Sequence, residues 1–158
     1  ALCVEFPSVP MAAIDHLAAV EQALGVDVMS MHQPEENAWQ MVCELANQAA
    51  VEACDPDFSA LAEATALGVA VTAKGDTHDF VSRFFIPQLG INEDPVTGSA
   101  HCQLTPFWAA KLGKSRLVAR QLSSRGGDLT CELKGNRVQL SGNCSLFAEG
   151  VLHLPSAE

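Results

Sequence analysis

The stretch Glu93-Asp94-Pro95-Val96-Thr97-Gly98-Ser99-Ala100-His101-Cys102 carries the densest chemistry in the chain. It holds two adjacent carboxylates, two hydroxyls, an imidazole and a thiol within ten residues. Pro95 biases Asp94 toward extended backbone. Thr97-Gly98-Ser99 then opens a run over 98–112 that is apolar on most sides, through Ala100, Cys102, Leu104, Phe107, Trp108, Ala109, Ala110 and Leu112. A helix apolar all round is buried. Gly98 removes side-chain bulk at its first turn, where backbone N–H groups have no intrahelical partner. Ser99 adds a hydroxyl. Glycine, hydroxyl and nearby carboxylate at a buried helix N-terminus suit carboxylate binding and proton transfer. The helix-end field alone favours an anion by about 0.3–2 kcal/mol. Asp-Pro and Thr-Gly are also ordinary loop and cap residues, so the residues alone leave both readings open.

Other reactive residues carry blander expectations. Arg83 is a lone arginine in an apolar strand, and such a cation has an anionic partner: Asp94, Glu93 or a ligand carboxylate. His101 is expected to support the site from behind or to face solvent. Cys102 reads as a small core hydrophobe, with a thiol nucleophile as the weaker alternative. His16 and His32 read as surface residues. His78 with Asp79 lacks further ligands at metal-binding spacing.

The elements that must position these residues follow from periodicity and punctuation. A strand is already under way at Leu2-Cys3-Val4-Glu5-Phe6. Helical spacing of Ile14, Leu17, Ala18 and Leu24 predicts a helix over 11–24, closed by Gly25. Strands are expected over 26–31 and 38–45, separated by the polar stretch 33–37, and a short helix over 47–54. Asp57 caps a helix running to 67, which Gly68 closes. Strands follow over 69–73 and 78–86, then a loop over 87–97. The buried helix spans 98–112, and Pro106 should kink it. Strands over 117–122, 129–133, 137–140 and 145–154 alternate with glycine turns, which favours antiparallel neighbours. The fold class is α+β: a curved, mostly antiparallel sheet around one central buried helix.

Composition bounds the rest. The 158 residues predict one domain, 1–158, large enough to bury a core without staples. Net charge is −10 and pI near 4.8, which argues against nucleic acid as a partner. The charge is split. Residues 1–80 hold thirteen carboxylates and one cation, a formal −12, whereas 81–158 hold six carboxylates and eight cations, +2. Arg83, Arg120 and Arg125 are candidates for making the second half receptive to an anion. Six cysteines at 3, 43, 54, 102, 131 and 144 show no CxxC spacing. They read as reduced thiols of a cytoplasmic protein with no metal site. No apolar run approaches the roughly 20 residues of a membrane span. Because the chain opens at Ala1 inside a strand, it reads as a fragment of a longer protein.

The stretch from Asp79 onward resembles the phenazine biosynthesis-like (PhzF-like) family, which shares the diaminopimelate-epimerase fold. The resemblance rests on Asp79, Phe80, Ser82, Arg83, Phe85, Pro87, Gly90, Glu93, Asp94, Pro95, Thr97, Gly98, Ser99 and Ala100. Gln121-Leu122-Ser123-Ser124-Arg125-Gly126-Gly127 resembles a second signature. Similarity is strongest over about 79–152. It implies a two-lobed isomerase, each lobe a curved sheet around a helix, with a small carboxylate between two facing helix N-termini. It implies proton transfer without metal or organic cofactor. Thr97-Gly98-Ser99 stands where epimerase relatives carry a cysteine, so a thiol pair is not expected. Asp94 and Ser99 would be catalytic; Thr97, Gly98, Ser99 and Arg83 would bind substrate. The family's acid/base glutamate and a Gly-His motif belong to an N-terminal lobe that this chain lacks. The chain is therefore expected to be the C-terminal lobe, binding weakly without turnover, and to partner that lobe or a second copy. A free-standing anion-binding or oligomerisation module is the alternative.

Overall fold

The structure, a computed structural model, describes residues 2–34 and 39–153. The opening alternation forms β1 (Leu2–Pro7), and three residues later the chain enters β2 (Met11–Ile14). There follow α1 (Ala18–Leu24), β3 (Ser30–Pro34), β4 (Gln40–Glu44), α2 (Gln48–Ala53), α3 (Phe58–Ala64) and β5 (Gly68–Lys74). The second half runs through β6 (Phe80–Ile86), a single 3₁₀ turn (Pro87–Leu89), β7 (Ile91–Glu93), α4 (Gly98–Leu112), β8 (Arg116–Gln121), β9 (Gly127–Lys134) and β10 (Arg137–Gly142).

Nine strands form one sheet in the order β1-β10-β9-β8-β6-β5-β4-β3-β2, with β7 branching from β6. Among the described residues only β4–β5 and β6–β8 are parallel; the other pairings are antiparallel. Laid flat, nine strands would span about 38 Å. Yet the two edge strands are joined by residues 8–10, and the four Cα steps from Pro7 to Met11 reach at most about 14 Å. The sheet must therefore curl into a half-barrel. The lining helix is α4, which packs on β8, β9, β10 and β4.

Strand alternation divides the core between the two faces. Met41, Cys43, Val69, Val71, Ala73, Val81 and Phe85 face outward under α1, α2 and α3. Val42, Ala70, Phe80, Phe84, Leu117, Cys131, Val138 and Leu140 face inward onto Leu104 and Trp108 of α4. The helix runs unbroken through Pro106. Proline has no N–H for the Cys102 carbonyl four residues back. Val9, in the link between the sheet edges, donates to that carbonyl at 3.0 Å.

Several expectations are corrected. The helix expected over 11–24 is a strand and a shorter helix, because residues 11–14 pair with β3 to extend the sheet (Ile14 opposite Met31). Gly25 does end α1, with φ +68°. The strand expected over 26–31 begins only at Ser30, and Gln33 and Pro34 of the expected separating stretch belong to it; 35–38 lie outside the described residues. Asp57 accepts from Ala60 N–H and caps α3, but that helix stops at Ala64, and Gly68 opens β5 instead. A Cβ on Gly68 would lie 2.4 Å from Phe84 Cζ, so close packing demands the glycine. The loop expected over 87–97 contains the 3₁₀ turn and β7. The strand expected over 145–154 is not formed through residue 153, its last described residue. β10 already lies between β9 and β1, so the following segment has no adjacent free edge to join.

Candidate functional site

The parallel crossover from β6 to β8 carries α4, and it brings the helix N-terminus beside Gln121, the last residue of β8. Asp94 N–H donates to Phe84 O at 2.9 Å, which fixes where the loop leaves the sheet. Gln121, fully buried, then ties the loop together. Its Oε1 accepts from Thr97 N–H at 2.8 Å, and its Nε2 donates to Asp94 O at 2.6 Å and Thr97 Oγ1 at 3.1 Å. Ser123 Oγ donates to Pro95 O at 2.6 Å. A Cβ on Gly127 would stand 2.5 Å from Val96 Cγ2, so only glycine lets the 123–127 turn lie against this loop.

The arrangement leaves the helix end open. Thr97 is the N-cap, but its side chain caps nothing. Its hydroxyl donates to the Asp94 carboxylate instead. Among the described residues no side chain caps this end, and Gly98 and Ser99 are half-buried, whereas Ala100 is buried. A Cβ on Gly98 would meet nothing closer than Leu140 Cδ1 at 4.0 Å, so packing does not require glycine there. Behind the turn, Gln40 Nε2 donates to Ser99 O at 3.1 Å, and the His101 ring contacts Thr97 O at 2.7 Å. The result is a set of unpaired donors beside a held carboxylate, gripped between glutamines of β4 and β8. Such a helix end can take an anion, and Asp94 stands where a proton acceptor is useful.

The family model described as phenazine biosynthesis-like protein matches residues 3–150. The chain belongs to the phenazine biosynthesis-like family. It is 46% identical to an uncharacterized isomerase of Pseudomonas aeruginosa over 97% of its own length and 58% of that protein. It superposes on a PhzF-family crystal structure from Enterococcus faecalis with TM-score 0.86 and 43% identity, covering 96% of this chain and 57% of that one. A putative phenazine biosynthesis protein from Clostridium difficile gives 0.83 and 36%, with 96% and 57% covered. The chain thus spans a little over half the length of these relatives.

The structure brings Asp94, Thr97, Gly98 and Ser99 of the phenazine biosynthesis-like motif together and leaves Arg83 apart. Arg83 shares the outer face with Val71, its register partner. Its Nε and Nη2 donate to Glu93 Oε1 and Oε2 at 2.7 and 3.0 Å, and Nη1 reaches the Val51 and Cys54 carbonyls. The guanidinium also lies 5.0 Å over the Phe85 ring. In the structure Arg83 acts as a clasp joining β6, β7 and the end of α2, rather than lining the first turn of α4. His101 does not face solvent: it is fully buried. Burial pushes the Cys102 thiol up to about 11, as befits a core residue rather than a nucleophile.

The cationic half has a different meaning from the one its charge suggested. Arg120 is bonded to Asp128, and Lys111, Lys114 and Arg137 pair with Glu44, Asp79 and Glu5 of the acidic half. Of the three candidate arginines, Arg125 alone makes no ion pair among the described residues. His78 contacts Asp128 at 3.2 Å, and the described residues hold no metal-binding cluster of three or more His, Cys, Asp or Glu. No described helix is long and apolar enough to cross a membrane. Sequence reasoning missed Gln40 as a support of the site. A glutamine opening the apolar run Met41-Val42-Cys43 was the available signal.

Proposed function

We propose that this chain supplies one side of the active site of a cofactor-independent isomerase that moves a proton next to a small carboxylate. The observation that carries the reading is the open first turn of α4, with Gly98 and Ser99 N–H groups uncovered beside Asp94. The substrate carboxylate is held by these N–H groups and the Ser99 hydroxyl, with Thr97 orienting Asp94. Asp94 accepts or returns the proton at the neighbouring carbon. A second acid/base group comes from a further lobe, in keeping with relatives of which this chain spans a little over half. Arg83 has no part in substrate binding.

The test is a titration of the protein with acetate, followed by backbone amide shifts. Saturable shifts centred on Gly98, Ser99 and Ala100 are expected. Shifts scattered over the surface, or none, overturn the reading. A second reading, an oligomerisation module, draws on the sheet edge. Leu2, Val4 and Phe6 share the inner face with Gly142, Leu140 and Val138, yet stand 69%, 51% and 41% exposed. Sedimentation as a monomer at all concentrations contradicts that second reading.

A further inference from the structure

His101 is unexpected inside an apolar helix. Its ring is fully buried and packs 5.9 Å from the Phe80 ring. Nδ1 lies 2.7 Å from Thr97 O. A carbonyl oxygen only accepts, so Nδ1 carries the proton and Nε2 holds a lone pair. That Nε2 is buried and finds no partner among the described residues. As a space filler, histidine is therefore a poor choice beside leucine or phenylalanine, which would bury no orphan nitrogen. What only the ring supplies is the N–H for Thr97 O, an oxygen that also faces the helix's own His101 N–H at 3.3 Å.

Thr97 O belongs to the same peptide plane as Gly98 N–H. In a planar trans peptide the two bonds point in opposite directions. A donor fixed on the oxygen therefore fixes the direction of the N–H. It also draws electron density toward the oxygen and makes that N–H a stronger donor, as chains of hydrogen bonds do. We propose that His101 is a positioning residue, which aims and polarises Gly98 N–H toward a bound carboxylate through the Thr97–Gly98 peptide. This deepens the proposed function and rests on it for the identity of the anion.

Two variants separate positioning from packing. In His101→Asn the side-chain NH₂ stands near the place of Nδ1 and can still donate. In His101→Leu the core is filled and the donor is gone. With acetate as probe and the Gly98 and Ser99 amides as readout, the Asn variant should stay within about threefold of the original affinity. The Leu variant should lose about tenfold, the scale of one hydrogen bond. Denaturant unfolding should rank them the other way, Leu at least as stable as Asn. A Leu variant that binds acetate as well as the original protein overturns the proposal, as does acetate affinity that follows stability. Independently of any ligand, long-range ¹H–¹⁵N correlation should show the Nδ1–H tautomer, and an Nε2–H ring overturns the proposal. Absence of acetate shifts in the unsubstituted protein would count against the anion site itself, while the tautomer still decides the Thr97 bond.

Discussion

Glu93 and Asp94 are consecutive carboxylates put to opposite uses. Glu93 ends β7, and its carboxylate is taken by both arms of Arg83, under the helices of the outer face. Asp94 begins the loop to α4, and its carboxylate receives one hydroxyl, from Thr97. Both Arg83 and Glu93 side chains are mostly buried, at 16% and 19% exposure. Under the proposed function the difference assigns each a separate task. A paired, mostly buried carboxylate cannot be removed without leaving its partner's charge uncompensated. One with unused acceptor capacity, beside open N–H groups, is available for chemistry.

The contrast can be broken by substitution. Asp94→Asn should reduce proton transfer by about 10²–10⁴-fold, the usual contribution of a positioned acid/base group. It should cost little stability, about 1 kcal/mol, since an amide oxygen still accepts from Thr97. Glu93→Gln should behave in reverse. Leaving Arg83 without its carboxylate should cost about 3 kcal/mol in denaturant unfolding, while acetate shifts at Gly98 persist in the folded protein. Equal stability losses in the two variants would dissolve the distinction.

Smaller effects sharpen it. Gly127→Ala should cost about 1–3 kcal/mol through overlap with Val96, measured by unfolding. Gly98→Ala meets open space and replaces glycine in a helix, so stability should hold or rise by up to about 1 kcal/mol. Its added methyl should nevertheless weaken acetate binding at the first turn. A Gly98→Ala variant with unaltered binding would show that no ligand approaches there. The smallest effect concerns pH. Burial lowers the pKa of His101 in the fold, so below about pH 6.5 the unfolded chain takes up a proton that the native ring refuses. Stability should fall as pH drops from 7 to 5, and part of that slope should vanish in His101→Leu. Burial lowers His32 as well, against an opposing Glu44, and adds a slope of the same sign.

The second half of the molecule was more legible in sequence than the first. The buried helix 98–112 emerged at its true bounds, and the tail strands through 140 nearly so, because apolar runs and glycine turns punctuate them clearly. Residues 11–14 misled because Ile14 and Leu17 sit at helical spacing by chance, while a non-local pairing with β3 decides their state. The segment 145–153 holds the apolar residues Leu146, Phe147, Val151 and Leu152, but apolar content cannot show whether an edge is free. At the site, Asp94, Thr97, Gly98 and Ser99 were readable from local order. Arg83 was not, since its face of the sheet depends on strand register, and the sequence offered Glu93 and Asp94 as equal partners. The charge split likewise reads as stitching between halves through Lys111–Glu44, Lys114–Asp79 and Arg137–Glu5.

Proton transfer at Asp94 is tested most directly by deuterium exchange. The protein, with whatever precedes residue 1 in its reading frame, is incubated in D₂O with a panel of small carboxylates, and the label is located by mass spectrometry. Deuterium is expected at the carbon beside the carboxylate of at least one compound, lost in Asp94→Asn and retained in the folded Glu93→Gln protein. Exchange that persists undiminished in Asp94→Asn would contradict it.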